Sequence, residues 1–316
     1  MQQLSQHYEL SLEDFACAFG TAEENLSQDV RDLIAKINFS YEKLSQVERD
    51  RIILDILKKL EANQFSRVGQ ERKEIWSNAW SEYLEAFIES NHSLEALNPK
   101  FMKPNQVVRL NSEFVKPQNP NFEIDFFAVF RVWLFKQYLA EINAVYEFGC
   151  GSVFNLVALA KLYPEKKLYG LDWAIPSVQL VDKIAETQGF NMKGYRFDFF
   201  APDSSLEIEN NSAFLTMCAL EQIGGNYQDF ISFVLEKSPK LCINMEPICE
   251  LYNEENLIDY LAIKYHKQRG YLDGYLSYLR KLESENKIVI RQVKRLNFGS
   301  LYHEGYSLII WEPAGN

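Results

Sequence analysis

No stretch of this sequence approaches the roughly 20 apolar residues needed to cross a bilayer, which excludes a helical membrane span. The start, MQQLSQHYELSLEDF, has no basic region followed by an apolar run, so no secretory leader is visible. Basic residues are in deficit. The formal charge is −11, and it is spread along the chain: residues 1–140 carry 16 basic and 21 acidic groups, the remainder 17 and 23. Neither half is an electrostatic platform for phosphate backbones, so a nucleic-acid partner is not expected. Cysteine is scarce as well. Cys17, Cys150, Cys218, Cys242 and Cys249 contain no C-x-x-C pair, which excludes the usual dithiol and zinc spacings. An odd count, with three of the five inside apolar strand-like runs, favours reduced thiols in a soluble, cytoplasmic protein.

What is present is enough for a substantial core: 47% apolar and 14% aromatic residues over 316 positions. That length suits one large domain or two, at about 150 residues per domain. The most ordered signal is Ala144 to Phe154, AVYEFGCGSVF. Apolar residues run into Glu147, Gly149 and Gly151 follow at a spacing of two, and NLVALAKLY then reads as a helix start. A strand, a glycine turn and a helix N-terminus form a nucleotide-loop signature. Glycines let such a turn bend sharply and approach a ligand with no Cβ in the way.

EFGCGS resembles the first motif of class I S-adenosylmethionine (SAM) dependent methyltransferases, an acidic residue followed by G-x-G-x-G. Glu147, Gly149 and Gly151 match; Val153 stands where the third glycine belongs. The resemblance covers roughly residues 143–313. It implies a Rossmann-like α/β domain of seven strands in the order 3-2-1-4-5-7-6, with SAM as cofactor and S-adenosylhomocysteine as product.

Downstream segments follow that pattern. KKLYGLDWA ends a second strand at Asp172, 25 residues beyond Glu147. An acid at that distance is placed for the ribose hydroxyls, and the resemblance gives Asp172 that role, with Trp173 beside the adenine. YRFDFF ends a third strand at Asp198 and Phe199, a position that in the family often contacts the adenine amino group. The fourth strand, SAFLTMCAL, leads into Ala219 and Glu221; the fifth, KLCINM, into Glu246. Both glutamates fall at carboxyl ends of strands, where open α/β sheets bind ligands, and could orient the methionyl end of SAM or the acceptor. Strand-end capping is the plainer reading of both. Cys150 reads as small filler within the glycine loop, counted with the cofactor-binding residues.

DYLAIKYHKQRGYLDGYLSYLRKL reads as one long helix, with His266 expected at the surface. KIVIRQVKRL and YSLIIWEP then form a last hairpin. If the topology holds, its loop brings Tyr302, His303 and Glu304 towards the mouth of the site. His303 is the first candidate for a general base, because an imidazole titrates near neutrality; a hairpin cap is its structural alternative. Glu246 and Glu304 complete the catalytic candidates. No cluster of metal-binding carboxylates is visible, and no Asp-Pro-Pro-Tyr or Asn-Pro-Pro-Tyr motif of nucleic-acid amino methyltransferases occurs.

Residues 1–120 read as a mainly helical part preceding the SAM-binding part, residues 121–316, and serving as lid or acceptor wall. SLED at Ser11 and SQVE at Ser45 resemble capping boxes. Glu71 to Ser90 reads as a helix whose Ile75, Trp76, Ala79, Tyr83, Phe87 and Ile88 form a core stripe. Asn98 to Asn121, with Pro99, Pro104, Pro117 and Pro120, reads as an extended connector. Ile124 to Ile142 reads as a long buried helix carrying Arg131, either paired or snorkelling, or else a substrate contact. LYHEGYSLIIWEP and ALEQ add a weaker resemblance to bacterial sugar or polysaccharide O-methyltransferases. The expected activity is methyl transfer to a small-molecule or glycan acceptor, at oxygen. The alternatives are a protein or RNA methyltransferase and a non-catalytic module of the same fold.

Overall fold

The computed structural model describes residues 7–315. The sequence start, read above for a leader, lies partly outside them. The main sheet has seven strands: β1 Ala144–Phe148, β2 Lys167–Asp172, β3 Met192–Arg196, β4 Ser212–Met217, β5 Leu241–Glu246, β6 Ile288–Arg295 and β7 Ser307–Pro313. Their order is 3-2-1-4-5-7-6, with β1 to β5 parallel and β7 antiparallel to both β5 and β6. β1 and β4 are buried along their whole length, as central parallel strands covered on both faces must be. Alternation along β1 divides the core. Val145 packs on the face covered by α5 (Phe122–Tyr138), α6 (Phe154–Leu162) and α7 (Ile175–Gln188). Tyr146 and Phe148 pack on the opposite face, against α8 (Gln228–Lys237) and α10 (Tyr275–Ser284).

The N-terminal part contains the three expected helices, α1 Leu12–Phe19, α3 Gln46–Glu61 and α4 Lys73–Glu89, and one the sequence reading did not include, α2 Gln28–Lys36. Ser11 with Asp14 and Ser45 with Glu48 form reciprocal capping boxes at α1 and α3. It also contains a sheet that the sequence reading lacked. Strands His7–Glu9, Ser40–Lys43, Glu113–Pro117 and Val108–Leu110 pair in that order, all antiparallel, and Phe298–Gly299 completes the edge. The proline-rich connector is therefore partly a hairpin, turning at Asn111 and Ser112, which both adopt positive φ. The fifth strand comes from the β6–β7 connection, 150 residues and more away in sequence.

α5 is the hub between the parts. Phe126 stacks on Phe298 and Phe15, and Phe127 stacks on Tyr306. Nine of its seventeen residues are buried, so it has no polar face, and one continuous core extends from α1 to β7. The segment read as one long helix is two: α9 (Leu257–Arg269) stops at Gly270 and α10 begins after Gly274, both glycines having left-handed φ. The five cysteines are free thiols. Among the described residues no helix is long and apolar enough to cross a membrane.

Candidate functional site

A cavity of about 830 Å³ opens at the carboxyl ends of the parallel strands. Its floor is the loop after β1, Gly149 to Ser152, with Asp172 and Trp173 after β2 and Phe199 beyond β3. Cys218, Ala219, Glu221 and Gln222 follow β4, and Met245 is the last residue but one of β5. The opposite wall comes from the N-terminal part: Arg72 just before α4, Trp76, Trp80 and Tyr83 along it, and residues 99–103 after it. Glu123 and Phe127 of α5 and the loop Ser300 to His303 close the side.

The glycine loop is held from two directions. Asp172 accepts from Gly151 N at 3.0 Å and from Ala174 N at 2.9 Å, and Ser177 Oγ donates to Gly151 O at 2.6 Å. Trp80 approaches so closely that a Cβ on Gly151 would stand 2.7 Å from the indole. A Cβ on Gly149 would meet that of Ala219 at 2.5 Å. Val153, where the resemblance has a third glycine, takes φ +64 and is fully buried. The β-branched residue thus keeps a left-handed backbone, at a cost of order 1–2 kcal/mol, and the loop retains the shape a glycine would give it.

Burial dominates the electrostatics. It raises Asp172 to about 6, against hydrogen bonds from Ala174 N and Gly151 N that lower it. It raises Glu147 to about 8 and Glu221 to about 8, the second helped by the charge of Glu246. Arg131 is lowered to about 9, again by burial. Arg131 neither snorkels nor lines the cavity. It donates to Phe154 O and Asn155 Oδ1, and Asn155 in turn donates to Glu147 Oε1 at 2.7 Å. Glu147 lies beneath the cavity wall with Oε2 unpartnered.

Gly149, Cys150, Gly151, Asp172, Trp173, Phe199, Ala219, Glu221 and His303 are gathered in the wall. Besides Glu147, three expected residues are elsewhere. Asp198 pairs with Lys73, whose ammonium stands 5.0 Å from the Trp173 ring and 5.3 Å from Phe200. The strand ends at Arg196, so Asp198 faces α4 across the rim rather than the interior. Glu246 caps the turn after β4, accepting from Ala219 N, Leu220 N and Glu221 N at 3.1 to 3.3 Å. Glu304 is fully buried in a bidentate pair with Arg295, which also holds Asp259. Sequence neighbours in an extended loop point opposite ways, and His303 alone of that pair reaches the cavity. His266, expected at the surface, is buried, with Nε2 3.1 Å from His303 Nδ1.

The sequence reading missed Trp76, Trp80 and Tyr83 as cavity-lining groups, along with Arg72, Glu123, Arg269 and Tyr271. The stripe on α4 is split. Tyr83 and Phe87 are buried, Trp76 and Tyr83 line the cavity, and Ile75 and Ile88 are exposed to solvent. The i, i+4, i+7 spacing of Trp76, Trp80 and Tyr83 was the available signal. Among the described residues no group of three or more His, Cys, Asp or Glu could hold a metal ion.

Strand order, the antiparallel β7 and a glycine loop at the first crossover give this chain the class I methyltransferase fold. No family model matches the sequence, and a search of curated proteins finds no match. Among solved structures, it is similar to an O-methyltransferase from neocarzinostatin biosynthesis in complex with SAM and a naphthoic acid (12% identity, TM-score 0.40). That match covers 61% of this chain and 57% of the other. It is also similar to human N-acetylserotonin methyltransferase in complex with SAM (14% identity, 62% and 56% covered, TM-score 0.40). A third is the branched-chain polyamine synthase from Thermus thermophilus (15%, 60% and 56%, TM-score 0.42). The matched part is thus little more than half of each of those chains.

Proposed function

We propose that this chain is a SAM-dependent methyltransferase acting at oxygen on a small-molecule or glycan acceptor. The observation that carries the reading is a single cavity in which the glycine loop and Asp172 face α4 and the β6–β7 loop. One end suits a nucleoside, because glycines permit close approach and Asp172 accepts hydroxyl hydrogen bonds. Trp173 and Phe199 supply ring contacts there. The remainder is lined by Trp76, Trp80, Phe127, Tyr265 and Tyr306, a set of π faces compatible with a sulfonium.

When bound, the cofactor supplies an electrophilic methyl group on a cationic sulfur. The protein's contribution is then mainly positioning and exclusion of water. α4 and residues 99–103 cover the glycine loop, so the N-terminal part acts both as acceptor wall and as lid over the cofactor end. His303 is the base we assign. Its Nδ1 bonds His266 Nε2, leaving Nε2 for the acceptor hydroxyl. To take that proton, His303 must donate from Nδ1 to His266, which keeps a lone pair on Nε2.

Calorimetric titration of SAM and S-adenosylhomocysteine tests the reading. Both are expected to bind, and Asp172→Ala should weaken them by about 1–3 kcal/mol through lost charged hydrogen bonds. Failure of the folded wild-type chain to bind either compound would refute it. A tritiated-methyl screen of glycan, peptide and RNA pools then identifies the acceptor class.

A further inference from the structure

Two arginines enter the cavity from different parts of the chain. Arg72 lies in the single turn Gln70–Arg72 before α4, and Arg269 is the last residue of α9. They meet at Ser66: Arg72 donates to its Oγ at 2.6 Å, and Arg269 to the same oxygen at 3.2 Å and to the Ser66 carbonyl. Each guanidinium lies over a ring, Arg72 5.6 Å from Trp76 and Arg269 4.9 Å from Tyr271. Arg269 is only 8% exposed, and the Nε of both arginines is buried with no partner.

Among the described residues no carboxylate pairs with either at ion-pair distance; Glu71 and Glu221 act on them only from farther away. The arginine ion pairs among the described residues involve Arg31, Arg49, Arg291 and Arg295, not this pair. Burial and the charge of Glu246 raise the nearby Glu221 to about 8, while Arg269 and Arg72 act on it in the opposite direction. Burial, and after it the charge of Arg269, holds Arg72 below its ordinary value. Two cations pressed together in a chain of net charge −11 are costly unless something anionic joins them. Paired, planar guanidiniums match a carboxylate, phosphate or sulfate.

Position indicates which molecule brings that anion. The Tyr271 ring beneath Arg269 is 5.5 Å from the His303 ring, and Tyr265 is 5.2 Å from His303. The arginines therefore belong to the wall that contains the assigned base. We propose that Arg72 and Arg269 form an oxyanion subsite and that the methyl acceptor is anionic, carrying a carboxylate, phosphate or sulfate group. This inference rests on the methyl-transfer reading only for the word acceptor; the anion site itself does not depend on it.

The probe is inorganic sulfate, added at constant ionic strength against chloride to the chain saturated with S-adenosylhomocysteine. The expected result is a sulfate-specific rise in the thermal midpoint of the wild type. In Arg72→Gln and Arg269→Gln the apparent sulfate affinity should fall at least tenfold, with S-adenosylhomocysteine affinity within twofold of wild type. If a glutamine variant does not fold, Arg72→Lys and Arg269→Lys replace it, each expected to weaken sulfate at least threefold. Absence of a sulfate effect in the wild type, or an equal effect in the variants, overturns the proposal. So does a tenfold loss of S-adenosylhomocysteine affinity, which would reassign the pair to the cofactor's own carboxylate. If the wild type binds no S-adenosylhomocysteine, the same titration without it still tests the anion site while the methyl-transfer reading fails.

Discussion

The contact between Trp80 and Gly151 can be tested by a double-mutant cycle. Gly151 has φ +49, where an L residue costs about 1–2 kcal/mol. A Cβ there would also stand 2.7 Å from Trp80 Cζ2 and 2.8 Å from Cη2. An indole is rigid, so relief requires either an off-rotamer ring or a shift of α4, costing about 1–3 kcal/mol as overpacking does. Gly151→Ala should therefore destabilise by about 2–5 kcal/mol. Trp80→Ala alone should cost about 2 kcal/mol, roughly half the value for a fully buried tryptophan, because Trp80 is half-buried. In the double variant the clash disappears while the backbone strain remains. The two changes should then fall short of additivity by about 1–3 kcal/mol, the overpacking part. Urea unfolding followed by far-ultraviolet circular dichroism measures all three, since tryptophan fluorescence changes with Trp80. Additivity within about 0.5 kcal/mol would show that α4 does not rest on the glycine loop and is no lid over it.

The pH dependence of turnover separates two bases. Burial, then the neighbouring His266, holds His303 well below its ordinary value, so a rate that needs its neutral ring is flat from about pH 6.5 upward and falls only in more acid solution. A rate rising through about pH 8 would instead assign the proton to Glu221. His303→Ala should leave S-adenosylhomocysteine affinity intact and lower turnover roughly 10²–10⁴-fold; near-normal turnover with a lower thermal midpoint would make the ring structural. Stability should also depend on pH. Glu147, Glu221 and Glu246 are raised by burial from 4.5 to about 8, 8 and 7. Each binds its proton more tightly in the folded chain, so its contribution is complete below about pH 4.5 and is lost as pH rises through 7 to 8. The thermal midpoint without cofactor should fall between pH 6 and pH 9, and a flat or rising profile would show the three carboxylates ionised without cost.

The nucleotide half of the molecule was legible because each of its signals is local. A strand, a glycine turn and a helix start lie within eleven residues at Ala144 to Phe154, and Asp172 follows from strand spacing alone. Even the departure at Val153 was visible, although the sequence does not show that a valine would accept φ +64 there. The other half depends on partners distant in the chain. Val108–Leu110 and Glu113–Pro117 looked like a connector because prolines and asparagines mark their turns, and the strand that borders them comes from Phe298–Gly299. Glu246 ends its strand and Glu304 lies in the hairpin loop, as the sequence indicates, but burial and neighbouring donors, not position, decide their roles. The amides of residues 219 to 221 claim the first, and Arg295 the second. Arg72 and Arg269 lie 197 residues apart, and only Ser66 joins them. A helical stripe such as Trp76, Trp80 and Tyr83 reads the same whether it meets a core or a ligand, because both are apolar.

The borrowed strand Phe298–Gly299 bears on how the chain is made. A ribosome releases the first 120 residues long before Phe298 exists, so the small sheet must wait with an open edge at Val108–Leu110 through most of synthesis. Phe126 waits with it, its ring lacking the Phe298 face on which it later stacks at 3.9 Å. Closure of the N-terminal sheet and completion of the β6–β7 loop are therefore one late event. A nascent chain halted before residue 298 would expose both an unpaired strand edge and an aromatic surface, the combination that chaperones recognise and that drives aggregation.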